Sequence, residues 1–328
     1  MNAARNLIPL LLATVTTVTS QNLAADQPSP VEQSHQAVQK SIPFIEAGGQ
    51  KWIDSKKCVS CHRVGNMLWT LSTARNRGYQ VSSQLEEWTS WAVEASLATN
   101  DKGKIVGIGN REGVAQLLLS GTDTKTLLSA RQELLTILQQ EQQSDGSWKP
   151  CGQLPSQKRP KPETTAVSTA WITLALLDDQ TSAEVAKVTT AALEFLNSSE
   201  NPQGTEWHAV RLLLAVKRGE QERQQKQVET LLQLQHEDGS WGWLSSDPGD
   251  ALGTGLALYA LAQAGVDAND SAVQNAHKFL VQSQQDDGSW SVHGTKANRK
   301  DAVQETAVYW GTTWASLGLM AGLPDSPR

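Results

Sequence analysis

From residue 126 onward, apolar positions recur with helical spacing in two alternating kinds of segment. The first kind keeps its apolar residues on one side, as Leu127, Leu128, Leu134, Leu135 and Leu138 do. The second kind, over 163–177, is apolar almost all round, as expected of a helix buried on every side. The same order recurs in 184–196 with 206–216, 220–235 with 250–264, and 271–284 with 304–320. Fainter pairs precede these, 31–45 with 66–75 and 83–97 with 113–119. The pattern therefore predicts six helical hairpins, beginning near Val31, Ser83, Thr126, Glu184, Glu220 and Ser271. One-sided helices outside and all-apolar helices inside close into a ring, so the predicted fold is all-α, an α/α toroid. An open superhelix would need polar capping repeats, and none is evident.

A tetrapeptide marks three of the predicted turns: Asp145-Gly146-Ser147-Trp148, Asp238-Gly239-Ser240-Trp241 and Asp287-Gly288-Ser289-Trp290. The last two copies lie 49 residues apart (238 to 287) and the first two 93 apart (145 to 238). A period of that order indicates repeat architecture with one degenerate copy, joined through Asn201-Pro202-Gln203-Gly204. The Q-x-x-D-G-S-W copies and segments such as Thr254-Gly255-Leu256-Ala257-Leu258-Tyr259 resemble the repeats of squalene–hopene cyclases and protein prenyltransferase β-subunits. The resemblance extends from about residue 126 to 323, and implies that the repeat Gln and Trp tie outer to inner helices.

The N-terminus changes the picture of compartment. Arg5 precedes an apolar run over 7–18, too short to span a membrane comfortably, and Val18 and Ser20 suit signal-peptidase cleavage. Residues 1–20 are thus predicted to be a signal peptide, 21–30 a linker, and 31–328 one toroid domain. A buried helix is the alternative for that run. No other apolar run approaches span length, so the mature chain is expected to be periplasmic or secreted, without a transmembrane segment. A net charge of -6 and the lack of long basic runs argue against a nucleic-acid partner. The one basic knot, Lys158-Arg159 with Lys161, sits between prolines and reads as a solvated loop.

With 3 cysteines the chain is no disulfide scaffold. Two of them form Cys58-Val59-Ser60-Cys61-His62, the C-x-x-C-H spacing at which two thiols bond a haem and the following His ligates its iron. A zinc knuckle, lacking its second pair, a redox C-x-x-C and chance are the rival readings. The chain is similar to exported bacterial proteins that join this repeat to an N-terminal C-x-x-C-H. The expectation is covalent haem c on Cys58 and Cys61, with His62 as axial ligand and the motif at the outer-to-inner turn of hairpin one. His293 is the favoured candidate for a sixth ligand, before Met67 and His208. Cys151 is then left without an internal partner.

Acidic residues begin several inner helices: Glu112, Glu163, Glu206, Asp250 and Glu305. Asp250, Glu163 and Glu305 are candidate cavity acids, although acids also favour first turns because of the helix dipole. The chain holds 12 Trp against 3 Phe and 3 Tyr. Trp69, Trp171, Tyr259, Trp310 and Trp314, with Tyr309, are explained equally by core packing and by a cavity for an apolar ligand.

The activities that the resemblance implies fail on residues. The protonating D-x-D-D of the cyclases is absent, because Asp178-Asp179 ends a helix and Asp286-Asp287 belongs to a repeat turn. An Asp, Cys, His zinc triad would have to rest on Cys151, which has no His nearby. The sequence therefore predicts an exported haem-binding toroid in electron transfer or redox sensing, with a redox partner protein. The alternative is an enzyme, haem-dependent or cyclase-like, acting on an isoprenoid or lipid among the tryptophans. A third reading is a structural or ligand-binding toroid whose C-x-x-C-H is a metal or chance motif.

Overall fold

The computed structural model describes residues 28–59, 63–122, 124–152, 154–178, 182–198, 202–298 and 301–324. Among these residues twelve α-helices alternate between two rings. The outer ring consists of α1 (Pro30–Lys56), α3 (Leu85–Leu97), α5 (Lys125–Gln139), α7 (Ala183–Asn197), α9 (Gln221–Gln233) and α11 (Ser271–Ser283). The inner ring consists of α2 (Val64–Asn76), α4 (Arg111–Leu119), α6 (Lys161–Leu176), α8 (Thr205–Arg218), α10 (Ala251–Gln263) and α12 (Glu305–Ala321). Each inner helix packs on the next, and α12 packs on both α2 and α1, so the ring closes. The chain is an α/α toroid. No helix among the described residues is long and apolar enough to cross a membrane.

The inner helices are buried nearly all round because they contact ring neighbours on two sides and their outer partner on a third. In α12 every residue from Tyr309 to Met320 is buried. The outer helices show polar faces to solvent, and α9 buries only Leu231 fully. This difference is the alternation that the apolar pattern predicted.

The repeated tetrapeptide is a clasp. In each copy Asp accepts hydrogen bonds from the backbone amide and hydroxyl of the Ser two residues on, as Asp238 does from Ser240 at 3.0 and 2.5 Å. The Trp amide donates to an inner-helix threonine: Trp148 to Thr169, Trp241 to Thr254 and Trp290 to Thr312. Its indole N–H donates to a carbonyl at the end of the preceding outer segment, of Gln140, Leu231 or Leu280. The Gln three residues before the Asp then reaches the next outer helix. Gln142 donates to Val188, Gln235 to Ala272 and Gln284 to Ala37, each at 2.8 Å. One motif thus fastens its own hairpin and the following one. At Gly288, φ is 85° and an added β-carbon would lie 2.1 Å from the Lys40 carbonyl oxygen, so glycine is required twice over.

Hairpin one departs from its predicted length. Helix α1 was expected over 31–45 and runs to Lys56, through Pro43 and past Gly48 and Gly49. These glycines mark close packing rather than a break: a β-carbon at Gly49 would fall 1.9 Å from the Met67 sulfur, and one at Gly48 would fall 2.5 Å from the Tyr309 ring. Lys57, with a φ of 50°, then ends the helix in the left-handed conformation.

Candidate functional site

The lumen of the ring is closed by aromatic side chains. Trp69 of α2 meets Trp171 of α6, Tyr259 of α10 and Trp314 of α12 at centroid distances of 6.0, 5.7 and 5.5 Å. Trp314 also lies 5.7 Å from both Trp171 and Tyr259. The three tryptophans are buried, and all of these pairs but Trp171–Trp314 are edge-to-face, an arrangement that adds about 0.5–1.5 kcal/mol per pair beyond area burial. These residues were predicted either to line a cavity or to pack, and at the centre of the ring they pack.

The outer-to-inner turns gather at one end, where the inner helices begin. There a charged pair is buried above the plug: Arg159 meets Glu206 at 2.6 Å, and Glu206 also accepts the Trp171 indole N–H at 2.9 Å. The Arg159 guanidinium lies 5.0 Å from the Trp243 ring, which meets Trp310 at a centroid distance of 5.1 Å and a tilt of 59°. The sequence placed Arg159 in a solvated loop; it is buried instead, with Nη1 on Glu206 and Nε on Thr164, while Nη2 has no hydrogen-bond partner among the described residues. On the other side of this end the Asn66 side-chain amide, Glu112 Oε2 and Gln116 Oε1 are buried without hydrogen-bond partners among the described residues, a setting that water commonly fills.

Cys58 lies at this same end, just after α1. Its carbonyl accepts the Trp52 indole N–H at 2.9 Å, and its thiol is half-buried, with its pKa raised by desolvation. Cys61 and His62 lie outside the described residues. Immediately after them Arg63 starts α2, buried against the rings of Tyr309 at 4.4 Å and Trp52 at 5.2 Å and paired with Glu305. The C-x-x-C-H stretch thus joins two anchored points, Cys58 and Arg63.

The predicted sixth ligands are placed differently from one another. His293 is exposed in the α11–α12 connection, at the same end of the ring as Cys58. Met67 is fully buried on Gly49 between α1 and α2, and His208 turns outward to Gln227 of α9 at 3.4 Å.

The candidate acids have structural partners. Glu163 accepts the amides of Gln203 and Gly204 at 3.0 and 2.8 Å and so holds the loop that leads into α8. Glu305 is largely exposed and paired with Arg63. Asp250 caps α10 by accepting the Gly253 amide at 2.8 Å, and burial pushes its carboxyl up to about 6. Cys151 donates its amide to Glu112 at 3.2 Å, and burial, followed by the Glu112 charge, pushes its thiol up to about 12. That thiol is therefore no thiolate at neutral pH. No three His, Cys, Asp or Glu side chains gather as a metal site among the described residues.

At the opposite end of the lumen a pocket of about 220 Å³ opens onto the plug. Trp69, Tyr259, Leu119, Leu174, Leu213 and Val216 give it apolar lining, and Gln263 and the Lys217–Asp178 ion pair line it as well. Of the predicted cavity aromatics, only Trp69 and Tyr259 line it.

Comparison with known proteins agrees with this architecture. The family model described as the squalene-hopene cyclase C-terminal domain matches residues 212–326, and that of the prenyltransferase alpha-alpha toroid domain matches residues 68–205. Among solved structures, the type II terpene cyclase MstE from Scytonema, in complex with geranylgeranyl dihydroxybenzoate, is similar at 16% identity and a TM-score of 0.56. The match covers 89% of this chain and 98% of that one. A glycosyl hydrolase of family 88 from Bacteroides vulgatus is similar at 12% identity and a TM-score of 0.57, over 87% of this chain and 98% of that one. No curated protein matches the chain. These likenesses are of fold, which terpene cyclases and glycosyl hydrolases share without sharing chemistry.

Proposed function

We propose that this protein is an exported haem carrier, in which the toroid is a rigid scaffold and the Cys58–His62 stretch holds a covalently attached haem at one mouth of the ring. The observation that carries this reading is the closed lumen. Trp69, Trp171, Tyr259 and Trp314 occupy the space where a reaction chamber would lie, while Cys58 and Arg63, which flank the rest of the motif, lie at the mouth. In this reading Cys58 and Cys61 tether the group and His62 ligates its iron. Bound haem supplies one-electron chemistry. The chain's own residues hold the site: Trp52 fixes the Cys58 carbonyl, and Arg63, braced by Tyr309 and Glu305, fixes the far side of the loop. The function that follows is electron transfer or redox sensing with a partner protein.

The pocket that Trp69 and Tyr259 help to line supports a second reading, a toroid that binds a small apolar molecule at the other mouth. Spectroelectrochemical and fluorescence titrations of the exported protein separate the two. A reversible one-electron couple that apolar ligands leave unshifted supports the carrier. A change in tryptophan fluorescence on addition of isoprenoid alcohols, lost in a Trp69→Phe variant, supports the second reading.

A further inference from the structure

Helices α8 and α9 meet at an inner-to-outer turn, on the end of the ring away from Cys58. Between them lies a pocket of about 190 Å³ whose lining includes Arg211, Arg218, Arg223 and Lys226. Among the residues lining it the only carboxylate is Glu220, which Arg218 approaches at 2.9 Å and Arg223 at 3.6 Å. Four cations therefore share one anion, on a chain whose net charge is -6. Like charges confined in this way repel, and burial together with Arg223 and Arg218 lowers the pKa of Arg211.

The arrangement is built rather than incidental. Arg211 is half-buried, with its guanidinium held 5.3 Å from the Trp207 ring, and it forms no ion pair among the described residues. Arg223 is positioned by donating to the Asn197 side-chain oxygen Oδ1 at 2.7 Å. The N-terminus of α9 opens here without a side-chain cap, so its first amides and positive dipole end also face an anion. A surplus of guanidinium groups suits an anion that offers several oxygens to forked donors.

We propose that the α8–α9 pocket binds a phosphate group, with Arg211, Arg223 and Lys226 as its ligands. The phosphate is either free, as inorganic phosphate or a soluble phosphomonoester, or the headgroup of an anionic lipid. Full-length exported protein is titrated calorimetrically with inorganic phosphate. In parallel it is floated with phosphatidylcholine vesicles that contain or lack phosphatidic acid. Arg211→Gln and Arg223→Gln are expected to weaken binding by about ten- to a hundredfold each, with unchanged thermal unfolding. Binding of phosphate in solution, lost in the variants, assigns a soluble ligand. Flotation only with phosphatidic acid, lost in the same variants, assigns a lipid headgroup. Absence of binding to both probes, or binding that the exposed Arg223→Gln change leaves intact, overturns the proposal.

Discussion

The side-chain amide of Gln284 donates to the carbonyl of Ala37 at 2.8 Å, across 247 residues of sequence. The same Gln position in the two other repeats fastens consecutive hairpins, but at Gln284 the next hairpin is the first one. A repeat element thereby becomes a closure.

Closure gives a test. Gln284→Ala removes the bonds to Ala37 and Gly288, and is expected to cost about 1–3 kcal/mol in urea unfolding. Gly288→Ala is expected to cost more, because the new β-carbon meets the Lys40 carbonyl and φ is positive there. If both changes are neutral while Gln142→Ala destabilises, the ring is open between hairpins six and one.

The buried pair above the plug makes a second expectation. Glu206→Gln keeps the shape but leaves the Arg159 charge uncompensated, which should cost about 3–5 kcal/mol. Replacing both residues by leucine should recover much of that loss, since desolvating a charged pair offsets most of its attraction. The unfolding free energies of the parent, Arg159→Leu, Glu206→Leu and the double leucine variant, measured as a cycle, report the coupling directly.

Asp250 sets a pH dependence. Its carboxyl is raised from 3.8 to about 6 on folding, so the folded chain favours the protonated form. Its stabilising contribution is complete below about pH 4 and is lost as pH rises through about 6, a change of up to about 2 kcal/mol given its partial exposure. Asp250→Asn still caps α10 and should flatten this part of the stability curve. Measured between pH 4 and 7, a parent and variant that change in parallel would remove Asp250 as the cause.

Much of the fold was legible in the sequence because ring geometry imposes a coarse rule: inner helices are apolar all round and outer ones are not. The starts and ends of α5 to α12 follow from that contrast and from the Asp-Gly-Ser-Trp turns. The extent of α1 was not legible, since Gly48 and Gly49 look like a break until the Met67 sulfur and the Tyr309 ring are seen against them. The mouth was harder still. Arg159 carried the signature of a loop, flanked by Pro160 and Lys158, and nothing local announced Glu206, 47 residues on, as its partner. Glu163 and Asp250 were legible as acids at helix starts, and Asp250 caps α10 locally, but that Glu163 holds the Gln203 and Gly204 amides depends on tertiary contacts. The four α8–α9 cations are spread over 211–226 and become one site only when the two helices fold against each other.

The most direct test of the haem-carrier account is a pyridine haemochrome spectrum of protein exported by a host with haem-attachment machinery, beside a Cys58→Ala/Cys61→Ala control. The expected result is a c-type spectrum that stays with the denatured chain and vanishes in the control. A chain that emerges without covalent haem, folded and identical to the control, would contradict the account and leave the pocket over Trp69 and Tyr259 as the place to seek function.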